Sequence, residues 1–273
     1  MAIVTISREL AALGDEITQE LATLLGYRFV DKKCLEALMK NLGLTEQKME
    51  KYDERKPSLW ASLSQDRDDY LHYLKTAIFS EAGQNNCVFM GRGCAAILRN
   101  VPGVLSVFLS APPEIRVERV KSYFHCDERR ARQIIDRSDR DREGFHQYFF
   151  EMKWRRPENY HLVLNTGRLH PQSCAELIKI MLEKTITKEA EAQGSLQIKD
   201  LVLGQQVIQH ILFEKNIAVH FLEVTVRSGD VTLFGVANSQ AMVEAAILGA
   251  KEVPGTGAIN SEIQVVQEFT IVP

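Results

Sequence analysis

The first thirty residues constrain this chain most. Residues 2–6 are a short apolar run rich in β-branched side chains. Such a run reads as a strand buried on both faces. After a polar turn, Ile17, Leu21 and Leu24/Leu25 recur at helical spacing within residues 15–25, and Gly26 stands where a left-handed C-cap belongs. Residues 27–30 return to a short strand, and Asp31 opens a second helix as its N-cap. Strand, helix, strand and helix joined by short turns predict a parallel sheet with crossover helices, an α/β fold.

The pattern continues along the chain. Residues 44–85 are helical and polar, with Asp53 and Glu54 read as an exposed acidic pair. Residues 87–90 form a buried-type strand ending in Gly91-Arg92-Gly93, and residues 104–109 form another, with Pro112 and Pro113 beginning a helix. Residues 127–143 form a strongly charged helix. Residues 162–164 are a last short strand, and a helix over 171–184 closes the unit. Residues 185–199 read as a linker or a helix extension. From residue 200 to 273 the character changes. A helix over 201–213 precedes two alternating strands, 221–227 and 231–236, joined at Ser228-Gly229-Asp230, a hairpin signal. A helix over 239–252 and a strand over 259–266 complete an α-β-β-α-β module. The expected division is therefore 1–184, a linker 185–199, and 200–273.

Composition bounds the function. The chain has 273 residues, of which 45% are hydrophobic and 25% charged, ordinary for a globular protein with a self-sufficient core. A net charge of -3 argues against generic nucleic-acid binding. The five cysteines include no C-x-x-C pair, so reduced thiols are expected rather than a zinc site or disulfide framework. No metal ligand set is assigned. The N-terminus lacks the basic and apolar regions of a signal peptide, and a cytoplasmic protein is expected.

Four motifs in order carry a resemblance: Ile6-Ser7-Arg8-Glu9, Tyr27-Arg28-Phe29-Val30-Asp31, Val88-Phe89-Met90-Gly91-Arg92 and Leu162-Val163-Leu164-Asn165-Thr166. Residues 1–184 resemble the cytidylate kinase-like family, P-loop nucleoside monophosphate kinases. The resemblance implies a kinase-like parallel sheet with flanking helices and a helical lid, ATP and Mg2+ as cofactors, and a CMP-like acceptor. Residues from about 200 resemble a BON domain through Gly229-Asp230-Val231-Thr232-Leu233-Phe234-Gly235 and Val253-Pro254-Gly255. That family implies phospholipid or other ligand contact and oligomeric assembly. The strands here carry few basic residues, so a regulatory or assembly role, with a homo-oligomer as one form, is the expectation.

The first turn departs from the general P-loop pattern; the relatives it resembles also lack the Lys, but many keep a Gly-Ser-Gly-Gly run where this chain has Ala11-Ala12-Leu13-Gly14. A phosphate-binding loop uses inward backbone N–H groups, glycines that admit the ligand, a Lys for the phosphates and a Ser/Thr for magnesium. Aligned on the strand end, Arg8, Leu13, Gly14 and Asp15 stand at the two Gly, the Lys and the Ser/Thr positions. Two readings follow. In one, Leu10, Ala11, Ala12, Leu13, Gly14 and Asp15 hold donor phosphates and Arg8 supplies the missing charge. In the other, this is a plain strand–helix turn whose Asp15 and Glu16 complement the helix dipole.

The resemblance further implies that Arg92, Arg137 and Asp141 hold the acceptor, and that Arg140 and Arg142 join Arg8 in stabilising the transferring phosphoryl group. A salt-bridged surface helix is the plain alternative for the lid arginines. Two functions stay open: an ATP-dependent nucleoside monophosphate kinase with a degenerate loop, or a catalytically inactive nucleotide sensor or scaffold acting through the BON-like module.

Overall fold

The computed structural model describes residues 1–51, 66–84 and 86–266, in two compact units, Met1–Gly194 and Ser195–Pro273. Asp53 and Glu54 lie outside the described residues. In the first unit the chain runs β1 (Ile3–Arg8), α1 (Gly14–Leu25), β2 (Arg28–Val30), α2 (Lys32–Asn41), α3 (Glu46–Lys51), α4 (Asp66–Gly83), β3 (Cys87–Met90), α5 (Cys94–Ile97), β4 (Val104–Ser110), α6 (Pro113–Phe124), α7 (Glu128–Phe150), β5 (Leu162–Asn165) and α8 (Pro171–Thr185).

The five strands stand in the order β2-β3-β1-β4-β5, all parallel. From β1 the chain crosses to one side and from β4 to the other. The carboxyl ends of neighbouring β1 and β4 therefore form the topological switch point, where ligands enter open α/β sheets.

The core explains the local sequence. Val4 and Ile6 of β1, Ile17 and Leu21 of α1, and Cys174, Ile178 and Leu182 of α8 pack in one buried cluster. Gly26 ends α1 with φ 64°, and the Asp31 carboxylate accepts from Cys34 N at 2.8 Å to cap α2. Burial pushes the Cys87 thiol up to about 12, which keeps it a protonated core residue. The charged helix α7 runs on to Phe150, past the expected end at 143, because Phe145 and Phe149 extend its buried stripe.

The second unit keeps the expected order. Helix α9 (Lys188–Ile208) carries the chain into it, so most of 185–199 is helical, and a π-helical turn Gln209–Glu214 follows. Then come β6 (His220–Arg227), β7 (Asp230–Ala237), α10 (Gln240–Glu252) and β8 (Ile259–Val265). The sheet order is β6-β7-β8, with β6 antiparallel and β8 parallel to β7. Val207, Ile211, Val231, Leu233, Val243, Ala246 and Ile263 form its own core. Among the described residues no helix is long and apolar enough to cross a membrane.

Candidate functional site

Strand β1 delivers Arg8 and Glu9 to the switch point, where Glu9 N–H donates to Leu109 O at 3.0 Å. The turn to α1 then adopts an unusual backbone. Ala11 (φ 61°) and Leu13 (φ 56°) are both left-handed without being glycine. Such residues cost about 1–2 kcal/mol each, and alternating handedness is how a backbone forms an anion-binding nest.

The turn is nevertheless braced from outside, and two of its N–H groups are already used. The N–H groups of Leu10 and Ala12 are taken by Asp139 Oδ1 (3.4 Å) and Glu9 O (3.3 Å). The carbonyls of Leu10 and Ala11 accept from Arg116 Nε (2.8 Å) and Arg119 Nη1 (2.9 Å). The Leu10 and Ala11 side chains pack on Val117, Val120, Ala131 and Ile135 of the α6–α7 hairpin, while Ala12 is buried in the main core and Leu13 packs against it. A Cβ on Gly14 would lie 2.7 Å from Arg8 Cγ, so glycine there lets the Arg8 stem cross the start of α1. Asp15 is exposed on the first helical turn.

Behind the turn lies a charge network that spacing alone did not single out. Arg116 of α6 and Asp139 of α7 are both buried and form an ion pair. Arg116 Nη1 stands 3.3 Å from Glu9 Oε1, and Glu9 Oε2 accepts from Ala111 N–H at 3.3 Å. Arg155, just past α7, reaches the same two acids, 3.1 Å from Glu9 and 2.7 Å from Asp139. Arg142 donates to Ser138 Oγ at 2.6 Å and lies 4.0 Å from Asp139. Arg119 also donates to Thr166 O at 2.8 Å; burial draws its pKa down, with Glu16 opposing.

The expected residues separate by helix face. Arg142 turns inward with Asp139. Arg137 and Arg140 lie on the outer face of α7: Arg137 pairs with Asp141 at 3.9 Å, and Arg140 donates back to Asp136 O at 3.2 Å. The missed residue on α7 was readable, because Ala131, Ile135, Asp139, His146 and Phe149 fall on one buried stripe. Arg116 carried no such signal, and Arg155 stood only within the Trp154-Arg155-Arg156-Pro157 run after the helix, where edge packing is the plainer reading. Arg92, after β3, has φ 53° and a buried guanidinium that donates to Tyr70 Oη at 3.0 Å and pairs with Glu36 of α2.

A magnesium ion at this turn would need oxygen ligands. Asp15 replaces the usual hydroxyl, and the nearby Thr18 Oγ1 donates to Gly14 O at 2.6 Å. Among the described residues no three His, Cys, Asp or Glu side chains group as a metal site. Magnesium in phosphoryl transfer is held by one or two carboxylates together with water and the substrate's own phosphates, and exposed Asp15 is the carboxylate this turn offers.

A five-stranded parallel sheet, with its first turn braced by a helical hairpin and ringed by arginines at the switch point, defines a protein of the P-loop kinase fold. The cytidylate kinase-like family model matches residues 3–168, well over half of the chain, and the chain belongs to that family. A BON domain model matches residues 199–267.

An uncharacterized protein from Eubacterium ventriosum shares the fold with a TM-score of 0.53 at 19% identity, covering 67% of this chain and 99% of that one. Shikimate kinase from Acinetobacter baumannii, in complex with shikimate, aligns with a TM-score of 0.39 at 15% identity over 68% of this chain and 96% of that one. A curated relative, uronate isomerase of Corynebacterium glutamicum, is 33% identical over 98 residues, which are 36% of this chain and 19% of that protein. This chain thus spans about a fifth of that relative's length.

Proposed function

We propose that this chain transfers the γ-phosphoryl group of ATP to a nucleoside monophosphate of the CMP type at the carboxyl edge of the five-stranded sheet. The observation that carries this reading is the gathering of Arg116, Arg119 and Arg142 around the β1–α1 turn. In the transfer, the bond from the γ-phosphorus to the β-phosphate oxygen breaks and one to an acceptor phosphate oxygen forms, releasing ADP. The acceptor oxygen is already ionised, so no general base is required. Catalysis then rests on alignment and on cations facing the charge spread over three equatorial oxygens.

In this reading Arg8 and residues 10–15 meet the donor, Arg92 meets the acceptor once its guanidinium leaves Tyr70 and Glu36, and Arg142 faces the transferring group. Arg137, Arg140 and Asp141 would reach ligand only through rotation of α7, so Arg142 takes the weight of the lid.

A second reading is favoured by a different observation. Glu9 and Asp139 already neutralise part of the arginine cluster, and the turn lacks a lysine. This fits a non-catalytic nucleotide sensor whose output passes to the BON domain. A coupled assay with ATP against each monophosphate separates the two. Turnover that falls in Arg142→Ala supports the kinase. A thermal shift with a monophosphate but no turnover supports the sensor. Neither turnover nor a shift with millimolar ATP–magnesium overturns the kinase.

A further inference from the structure

One guanidinium at this edge differs from the rest. Helix α7 is terminated by Glu151 in a left-handed conformation (φ 51°), after which Met152 and Trp154 turn into a buried cluster with Phe108. Tyr160 Oη donates to Trp154 O at 2.6 Å, fixing the segment from its other side. Arg155 is thus held between anchored neighbours. Its guanidinium carbon lies 5.3 Å from the Trp154 ring centroid, a cation–π contact. Its Nε and Nη2 are held by Glu9 Oε1 and Asp139 Oδ2 at 3.1 and 2.7 Å.

Those contacts use the inner edge of the fork. Arg155 Nη1 meets no acceptor among the described residues, and the side chain is 43% exposed, against 5% for Arg116 and 6% for Asp139. Arg155 therefore presents a donor edge to solvent beside the β1–α1 turn, where Asp139 also accepts from Leu10 N–H. An arginine loses rotamer freedom when it binds a ligand, and one already held on three sides loses less. Its neighbour Arg156 has no such support, pairing only at 3.8 Å with exposed Glu158.

We propose that Arg155 is a phosphate-binding residue, receiving a phosphoryl oxygen of a bound nucleotide on its outer edge, with Glu9, Asp139 and Trp154 as the positioning residues. This rests on the reading that phosphates come to the switch-point edge, but not on turnover.

The test uses inorganic pyrophosphate, titrated calorimetrically into the full chain. Wild type should bind, and Arg155→Ala and Arg155→Gln should each weaken binding by about tenfold or more, the loss of a charge-assisted contact. Arg156→Ala should bind as wild type. Melting without ligand should fall only slightly in Arg155→Gln, because Arg116 still pairs with both acids. Wild-type affinity in Arg155→Gln would overturn the proposal, as would a wild type that binds no pyrophosphate. Binding through Arg155 in a protein that never turns over ATP would sink the kinase reading and leave this one standing.

Discussion

At the scale of single residues, Asp139 is the hub of the charge network behind the β1–α1 turn. Its carboxylate meets Arg116 and Arg155, lies near Arg142 and accepts from Leu10 N–H. Removing one partner of a buried pair leaves the other charge uncompensated, at a cost of about 3–5 kcal/mol. Asp139→Ala should lose about that much in urea unfolding. Arg140→Ala, off the buried stripe and exposed, should stay within about 0.5 kcal/mol of wild type. His210 in the second unit gives a pH prediction. Hydrogen bonds to Glu214 and Glu252 raise its pKa above the ordinary 6.5. A raised folded pKa means that the fold favours the protonated ring. The stabilisation is complete below about pH 6.5 and fades as pH rises through the folded value. Melting of the second unit should fall over that interval, and His210→Gln should remove the dependence.

At the scale of elements, the β1–α1 turn holds the tension between two uses. Its handedness is that of an anion nest, yet its carbonyls face arginines and its side chains bind it to the α6–α7 hairpin. Ala11 keeps a glycine-like conformation without glycine. Relief of about 1–2 kcal/mol of left-handed strain outweighs about 0.4–1 kcal/mol of added unfolded-state freedom. Loss of the Ala11 methyl from the α6–α7 hairpin, about 0.8 kcal/mol, offsets the remainder, so Ala11→Gly should leave stability within about 1 kcal/mol of wild type, measured by chemical denaturation. The β6 strand has a comparable device. Phe221 is left-handed (φ 53°) at an irregularity in the β6–β7 pairing, and its side chain is exposed. Gly235 opposite permits it, since a Cβ there would lie 2.8 Å from Val219 Cγ1 and 2.9 Å from His220 O.

At the scale of the whole molecule, each unit has its own sheet and buried cluster. Calorimetry should accordingly resolve two transitions, with Gly235→Ala lowering only that of the second unit. The sequence by itself determined the parallel sheet, the helix ends at Gly26 and Asp31, the order of the second module and the family. These are local matters, written in hydrophobic period, capping residues and short motifs. It also exposed the loss of glycines and lysine from the first turn. What only the tertiary structure decided is which charges face inward. Arg137, Arg140, Asp141 and Arg142 occupy neighbouring positions on one helix, yet a step of about 100° per residue sends Arg142 inward beside Asp139 and Arg140 to solvent. Arg116 and Arg155, far from Glu9 in sequence, meet it only because β1 and β4 end side by side at the switch point. A long-range ion pair leaves no period in a sequence, so the residues that define this site became visible only once the sheet had brought them together.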